Sequence, residues 1–88
     1  MSIVWQIQAW EQYIYWLNTD KAIFLRINKL VEELFEPSNM KRIRPIPLKG
    51  NLENCWCRRI NHVHRLVYTV KGNKIHILSC RYYLGGIY

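Results

Sequence analysis

The residues that could do chemistry here are mostly cations, and their placement is lopsided. From residue 41 onward the chain carries Lys41, Arg42, Arg44, Lys49, Arg58, Arg59, Arg65, Lys71, Lys74 and Arg81, against the single acid Glu53. Residues 1–40 set Lys21, Arg26 and Lys29 against Glu11, Asp20, Glu32, Glu33 and Glu36. The balance is +9 in the later part and −2 in the earlier, which sums to the net charge of +7. An electropositive surface of this kind attracts phosphate over a Debye length and speeds association, so nucleic acid is the leading partner class. A basic face kept only for solubility is the plainer alternative, since a charge cluster specifies no ligand by itself. With four Trp, six Tyr and two Phe available, such a surface could hold single-stranded RNA, charge on phosphate and rings on bases.

Cys55-x-Cys57, His62-x-His64 and Cys80 are metal-ligand types, but the spacing argues against a metal. Cys55 and Cys57 fall on one strand, unlike the usual Cys knuckle, and no second cysteine pair exists. No metal and no cofactor is expected. Cys80 reads as a small buried hydrophobe. His64 reads as orienting or structural, and His62 and His76 have no assignable chemistry. Three cysteines leave at least one thiol unpaired, which suits a reducing compartment. Met1 to Trp10 lacks a basic start with an apolar stretch and cleavage site, and no apolar run approaches a membrane span, so the cytoplasm is expected and no membrane.

These groups need a scaffold, and 88 residues leave room for one domain, 1–88, with 84–88 as a short C-terminal extension. Ser2 to Trp5 reads as extended. Trp10, Tyr13, Ile14 and Leu17 then recur at i, i+3, i+4 and i+7, one face of a helix. Asn18, Thr19 and Asp20 interrupt it with side chains that accept hydrogen bonds from free helix N–H groups. Ile23, Ile27, Leu30 and Leu34 mark a second helix, which Pro37 stops. Ser38 to Pro47, with its prolines and basic residues, reads as loop. Cys55 to Ile60, Arg65 to Val70 and Ile75 to Tyr82 read as strands, with a tight turn at Lys71-Gly72-Asn73-Lys74. The order is β-α-α-β-β-β, an α+β fold with a helical hairpin on one face of an antiparallel sheet and the other face left for a ligand. The stripe of Trp10, Tyr13, Trp16 and Leu17 is first of all core, and surplus exposed rings would mark a dimer or partner surface.

Pro47-Leu48-Lys49-Gly50-Asn51-Leu52, Trp56-Cys57-Arg58-Arg59-Ile60, His64-Arg65-Leu66-Val67-Tyr68 and Cys80-Arg81-Tyr82 resemble the Txe/YoeB family of the RelE superfamily. Trp5, Trp10, Tyr13, Tyr15-Trp16 and Thr19-Asp20-Lys21 match as well, so the likeness runs from residue 1 to about residue 83. The resemblance implies a RelE-like fold and the toxin of a type II toxin–antitoxin system. Such a toxin is an endoribonuclease that cuts messenger RNA in the A site of the 70S ribosome, against 16S rRNA. It implies a YefM/Axe-like antitoxin and a homodimer as partners. The gyrase-directed branch of the superfamily shares the fold, but the motif match argues against it.

Cleavage of this kind uses the RNA 2′-hydroxyl as nucleophile, so no metal and no covalent intermediate is needed. A base must take the 2′-proton, cations must stabilise the phosphorane, and an acid must protonate the departing 5′-oxygen. The resemblance makes Arg65 the residue that holds the scissile phosphate through forked hydrogen bonds. Lys49 and Arg59 match positions near the site, and Arg58, Arg81, Lys41, Arg42 and Arg44 are candidate RNA contacts. The family usually reads Pro-Glu-Pro-Leu-Lys where this chain has Pro45-Ile46-Pro47-Leu48-Lys49, so Ile46 replaces the glutamate regarded as general base. A family Glu before the His-Arg pair is Val63 here, and the histidine regarded as general acid is absent, because Tyr83 stands at its position or, if one residue is deleted, at that of the family's terminal tyrosine. Lys49, Arg65 and Tyr83 would then carry the reaction. An unperturbed Lys or Tyr titrates at about 10, so neighbouring cations must depress one of them. The alternative is a catalytically inactive toxin fold that only binds antitoxin or ribosome.

Overall fold

In the computed structural model, which describes residues 2–35, the backbone of Ile46 and Pro47, and residues 55–81, the β-α-α-β-β-β order is present with one addition. The elements are β1 (Ser2–Trp5), α1 (Ile7–Thr19), α2 (Lys21–Leu34), β2 (Ile46–Pro47), β3 (Cys55–Arg59), β4 (Arg65–Lys71) and β5 (Lys74–Ser79). The addition is β2, inside the stretch expected to be loop. Its two residues pair antiparallel with β3, Ile46 opposite Cys57 and Pro47 opposite Trp56. A proline can lie there because an edge strand leaves its N-side unpaired.

The helical hairpin turns at Asp20. Its side chain accepts from Ile23 N at 3.3 Å, and its own N–H donates to the Trp16 carbonyl, so one residue caps both helices. Asn18 and Thr19 act the other way from the expectation, donating from Nδ2 and Oγ1 to the carbonyls of Ile14 and Tyr15. In α2 the expected stripe is the core face: Ile27, Leu30 and Leu34 are buried and Ile23 is packed against them. Burying each such side chain contributes about 1.5–3 kcal/mol.

The buried face of α1 is rotated from the expected one. Ala9 and Trp16 are buried, whereas Trp10 and Leu17 are 48% and 44% exposed. Ala9, Gln12, Tyr13 and Trp16 form the i, i+3, i+4, i+7 set that meets the sheet. Small Ala9 lets the helix approach closely, and the polar Gln12 and Trp16 tips find backbone partners, which hydrophobicity alone does not register.

The sheet order is β1-β5-β4-β3-β2. The expected antiparallel sheet is corrected in one respect, since β1 runs parallel to β5, with Ile3 opposite Ile75 and Trp5 opposite Ile77. The sheet is therefore mixed. Strand composition carries no signal of a neighbour's direction, and the chain from α1 to β4 supplies the long connection that the parallel pair β1 and β5 needs. The β4–β5 hairpin turns at Gly72, whose φ of +62° suits glycine. The last strand ends at Ser79 rather than at the expected Tyr82. Under the helices, Ile60, Leu66, Tyr68, Ile75, Ile77 and Cys80 complete the main core. On the opposite face Cys55, Cys57 and Val67 form a smaller apolar cluster with Leu78.

Candidate nucleic-acid interface

Alternation along β3 and β4 sorts the basic side chains between the two faces of the sheet. The register pairs Cys57 with Val67 and Arg59 with Arg65, so these four share the face away from the helices. Arg58 pairs with Leu66 on the helix side, and its Nη1 donates to Glu33 of α2 at 2.7 Å, with side chains 12% and 24% exposed. Arg58, a candidate RNA contact, thus faces away from Arg59 and Arg65: one residue along a strand reverses the direction of the side chain.

Arg59 and Arg65 face each other directly across two strands. Like charges at such positions are destabilising, by about 0.2–1 kcal/mol, unless something negative lies between or over them. The loop that joins the strands holds the pair in place. Asn61 Oδ1 accepts from the N–H groups of Val63 (2.9 Å) and His64 (2.8 Å), closing an Asx turn, and Ile60 N donates to the His64 carbonyl at 3.0 Å. The Asn61 carbonyl then accepts from Arg65 Nη1 at 2.7 Å and Arg59 Nε at 3.4 Å. Arg65 Nη1 also reaches the His64 carbonyl at 3.2 Å. Arg59 Nη2 contacts His62 Nδ1 at 2.6 Å, and Arg26 of α2 donates to the Arg59 carbonyl at 3.4 Å. Asn61 is a site residue that charge patterning misses. Its signal is an Asn in a short interval between two strands.

Burial pushes the Cys57 thiol up, and the Arg65 charge partly opposes that, which places Arg65 close enough to be felt on this face. His64 points the other way. It is buried, packed edge-on to Trp16 with ring centroids 4.6 Å apart. Burial first, then the Arg81 charge, hold its imidazole below the usual value, with Asp20 opposing. His64 is therefore a neutral structural ring at pH 7. Arg81, another candidate RNA contact, places its guanidinium 3.9 Å from the Tyr15 ring centroid, next to α1 rather than beside Arg59 and Arg65. The cysteines are dispersed: Cys55 and Cys57 are buried on the sheet face away from the helices, and Cys80 is buried against α1. Lys41, Arg42, Arg44, Lys49 and Tyr83 lie outside the described residues, so the structure brings together Arg59 and Arg65 alone of the expected set.

The arrangement offers two cations at a fixed spacing on one sheet face, beside a dry apolar row. That suits an anion with several oxygens, such as a phosphodiester.

The chain matches known proteins over nearly its whole length. The family model described as "YoeB-like toxin of bacterial type II toxin-antitoxin system" matches residues 5–84. Toxin YoeB of Escherichia coli (strain K12) is 40% identical over 83 residues, covering 94% of this chain and 99% of that protein. Among solved structures, the YoeB dimer from Staphylococcus aureus matches with a TM-score of 0.83 at 42% identity, over 94% of this chain and 97% of that one. The YoeB–YefM complex from Staphylococcus aureus matches with a TM-score of 0.82 at 41% identity, over 92% and 94%.

Proposed function

Since the chain belongs to the YoeB-like toxins of bacterial type II toxin–antitoxin systems, we propose that it is an endoribonuclease that cuts messenger RNA in the ribosomal A site. The observation that carries this reading is the Arg59–Arg65 pair, two basic side chains in direct cross-strand register on the sheet face away from the helices. In the proposed reaction the RNA 2′-oxygen attacks the scissile phosphate, the P–O5′ bond breaks, and a 2′,3′-cyclic phosphate and a 5′-hydroxyl result. Arg65 holds the phosphate oxygens and stabilises the charge added in the phosphorane. Arg59 takes a second phosphate oxygen or the next phosphate along. Proton transfer falls to Lys49 and Tyr83, because Ile46 and Tyr83 replace the usual carboxylate and imidazole. No metal takes part in this scheme. Losing both usual groups lowers the rate by about 10² to 10⁴ apiece if nothing substitutes for them. We extend to this chain the antitoxin and the dimer that the Staphylococcus aureus relatives are described with, and the cytoplasm as the place of action.

A second reading, a toxin fold that binds antitoxin or ribosome without cutting, is favoured by those same two replacements. One experiment separates the two. The chain is induced alone and messenger RNA ends are mapped on translating ribosomes. New ends at A-site codons are expected, and Ile46→Glu with Tyr83→His should increase them. Unchanged growth and transcripts with soluble protein would leave only the binding reading. A folded double variant that cuts no better than wild type would remove the site assignment.

A further inference from the structure

Arg59 is held near Arg65 by two neutral acceptors. Its Nε donates to the Asn61 carbonyl at 3.4 Å, the same oxygen that accepts from Arg65 Nη1 at 2.7 Å, so the two guanidiniums meet at one atom. Its Nη2 lies 2.6 Å from His62 Nδ1. A guanidinium carries donors only, so the ring nitrogen is the acceptor and the imidazole proton sits on Nε2. In this arrangement His62 is uncharged. No acid is among the contacts that Arg59 and His62 make with the described residues.

The kind of acceptor matters to a ligand. A carboxylate in the place of His62 would cancel the Arg59 charge, whereas a neutral ring holds the side chain and leaves the charge available. The ring is also exposed, in the turn that Asn61 closes, so an anion has access to it. Around this turn stand Arg59 of β3, Arg65 of β4 and Arg26 of α2, which donates to the Arg59 carbonyl at 3.4 Å. His76 of β5 shares the sheet face further along, opposite Thr69. Three cations oppose a fourth positive charge among them, and an anion seated between them favours it. Hydrogen bonds from a guanidinium to phosphate are about twice as strong as those to a neutral acceptor. A phosphate oxygen therefore displaces the ring from Arg59 Nη2. The freed Nδ1 then faces an anion instead of an arginine donor and takes one proton from solvent, with no covalent bond changed elsewhere.

We propose that His62 is a third phosphate-binding group of the Arg59–Arg65 site, a neutral acceptor for Arg59 in the free protein that becomes a cationic donor when a phosphodiester of single-stranded RNA takes its place. The proposal rests on the phosphate-binding part of the function proposed above and not on cleavage. It makes RNA binding consume a proton.

The test uses the full chain and a fluorescent 2′-O-methyl RNA strand, which offers phosphates and bases but no attacking hydroxyl, so binding is read apart from cutting. Anisotropy is measured across a KCl series at about pH 8 and about pH 5.5, with circular dichroism confirming the fold at both. Wild-type affinity should be about three- to tenfold tighter at the lower pH, between the effect of an exposed ion pair and that of a charge-assisted hydrogen bond. The slope of log K against log salt should steepen there by about 0.7, one more phosphate contact. His62→Gln, which can still accept from Arg59 but has no proton to gain, should lose both changes, and His76→Gln should keep them. Calorimetry at about pH 6.5 in two buffers of different ionisation enthalpy should show proton uptake on binding in wild type and none in His62→Gln. A pH dependence that persists in His62→Gln overturns the proposal, and so does wild-type binding that is the same at both pH values. A wild type that binds no RNA at either pH removes the phosphate grip and this proposal together. Proton-linked binding by a protein that cuts nothing on ribosomes removes the nuclease reading and leaves His62 in its place.

Discussion

Arg58 and Arg59 are adjacent in sequence and chemically identical, yet substituting them should damage different properties. Arg58 is ion-paired to Glu33 at 2.7 Å under the sheet, with side chains 12% and 24% exposed. Breaking a fully buried pair costs about 3–5 kcal/mol and an exposed one about 0–1 kcal/mol. This pair lies between, so Arg58→Met should lose about 1–3 kcal/mol, with Tm lower by about 4–8 °C per kcal/mol for a domain this size. Adding Glu33→Met should recover much of the loss, because the stranded carboxylate is then gone. Arg59 is exposed and opposes Arg65. Arg59→Met should stay within about 0.5 kcal/mol of wild type and should relieve the like-charge contact. On the proposed function, RNA binding should reverse the ranking. By fluorescence anisotropy on a single-stranded oligonucleotide across a KCl series, Arg59→Met should reduce the slope of log K against log salt by about 0.7, one phosphate's worth. Arg58→Met, measured well below its Tm, should leave the slope unchanged. If Arg58→Met keeps wild-type stability while flattening the salt slope, the assignment of faces is wrong.

Two further consequences concern the buried polar groups. The Tyr68 hydroxyl is buried without a hydrogen-bond partner among the described residues, and burial pushes its pKa up to about 12. Tyr68→Phe should therefore be neutral or stabilising, by about 0 to 1.5 kcal/mol in urea unfolding, and a loss above about 1 kcal/mol would show a partner for that hydroxyl. His64 has a folded pKa below its unfolded value of 6.5. The unfolded chain then binds more protons at and below that value, so stability is full above about pH 6.5 and falls as pH drops toward the folded pKa. The slope from this one group is at most about 1.4 kcal/mol per pH unit. Urea melts between pH 7.5 and 5.5 should show it in wild type and lose it in His64→Phe, and identical pH profiles would assign the slope elsewhere.

The fold was largely legible because its periodicities are strong. Ile23, Ile27, Leu30 and Leu34 repeat without interruption, and the Gly72-Asn73 turn separates two β-branched runs. What escaped the reading shares a cause. The true face of α1 depends on Gln12 and Trp16 finding Cys80, a partner 64 or more positions away, and local spacing carries no such information. The parallel docking of β1 and the pairing of Ile46–Pro47 are likewise tertiary events. Arg65 was singled out through its motif, whereas the opposite facings of Arg58 and Arg59 were not legible, because charge counts do not say which way a strand residue points. Asn61 was missed because its work is done by backbone contacts, which composition cannot show.

On the proposed reading, the register also bears on how the Arg59–Arg65 pair would meet a phosphate. Position 46 is paired with Cys57, which is paired with Val67, and the next residues along that face of β3 and β4 are Arg59 and Arg65. The Arg59–Arg65 pair lies next to a row in which Cys57 and Val67 are 1% exposed. Low local dielectric strengthens the attraction. Such an attraction acts on bound RNA before reaction as well as on the phosphorane, and binding shared by both states lowers KM without raising kcat. On the proposed reading, the part of the arginines' attraction common to both states supplies affinity, and only the part added with the charge of the phosphorane raises the rate.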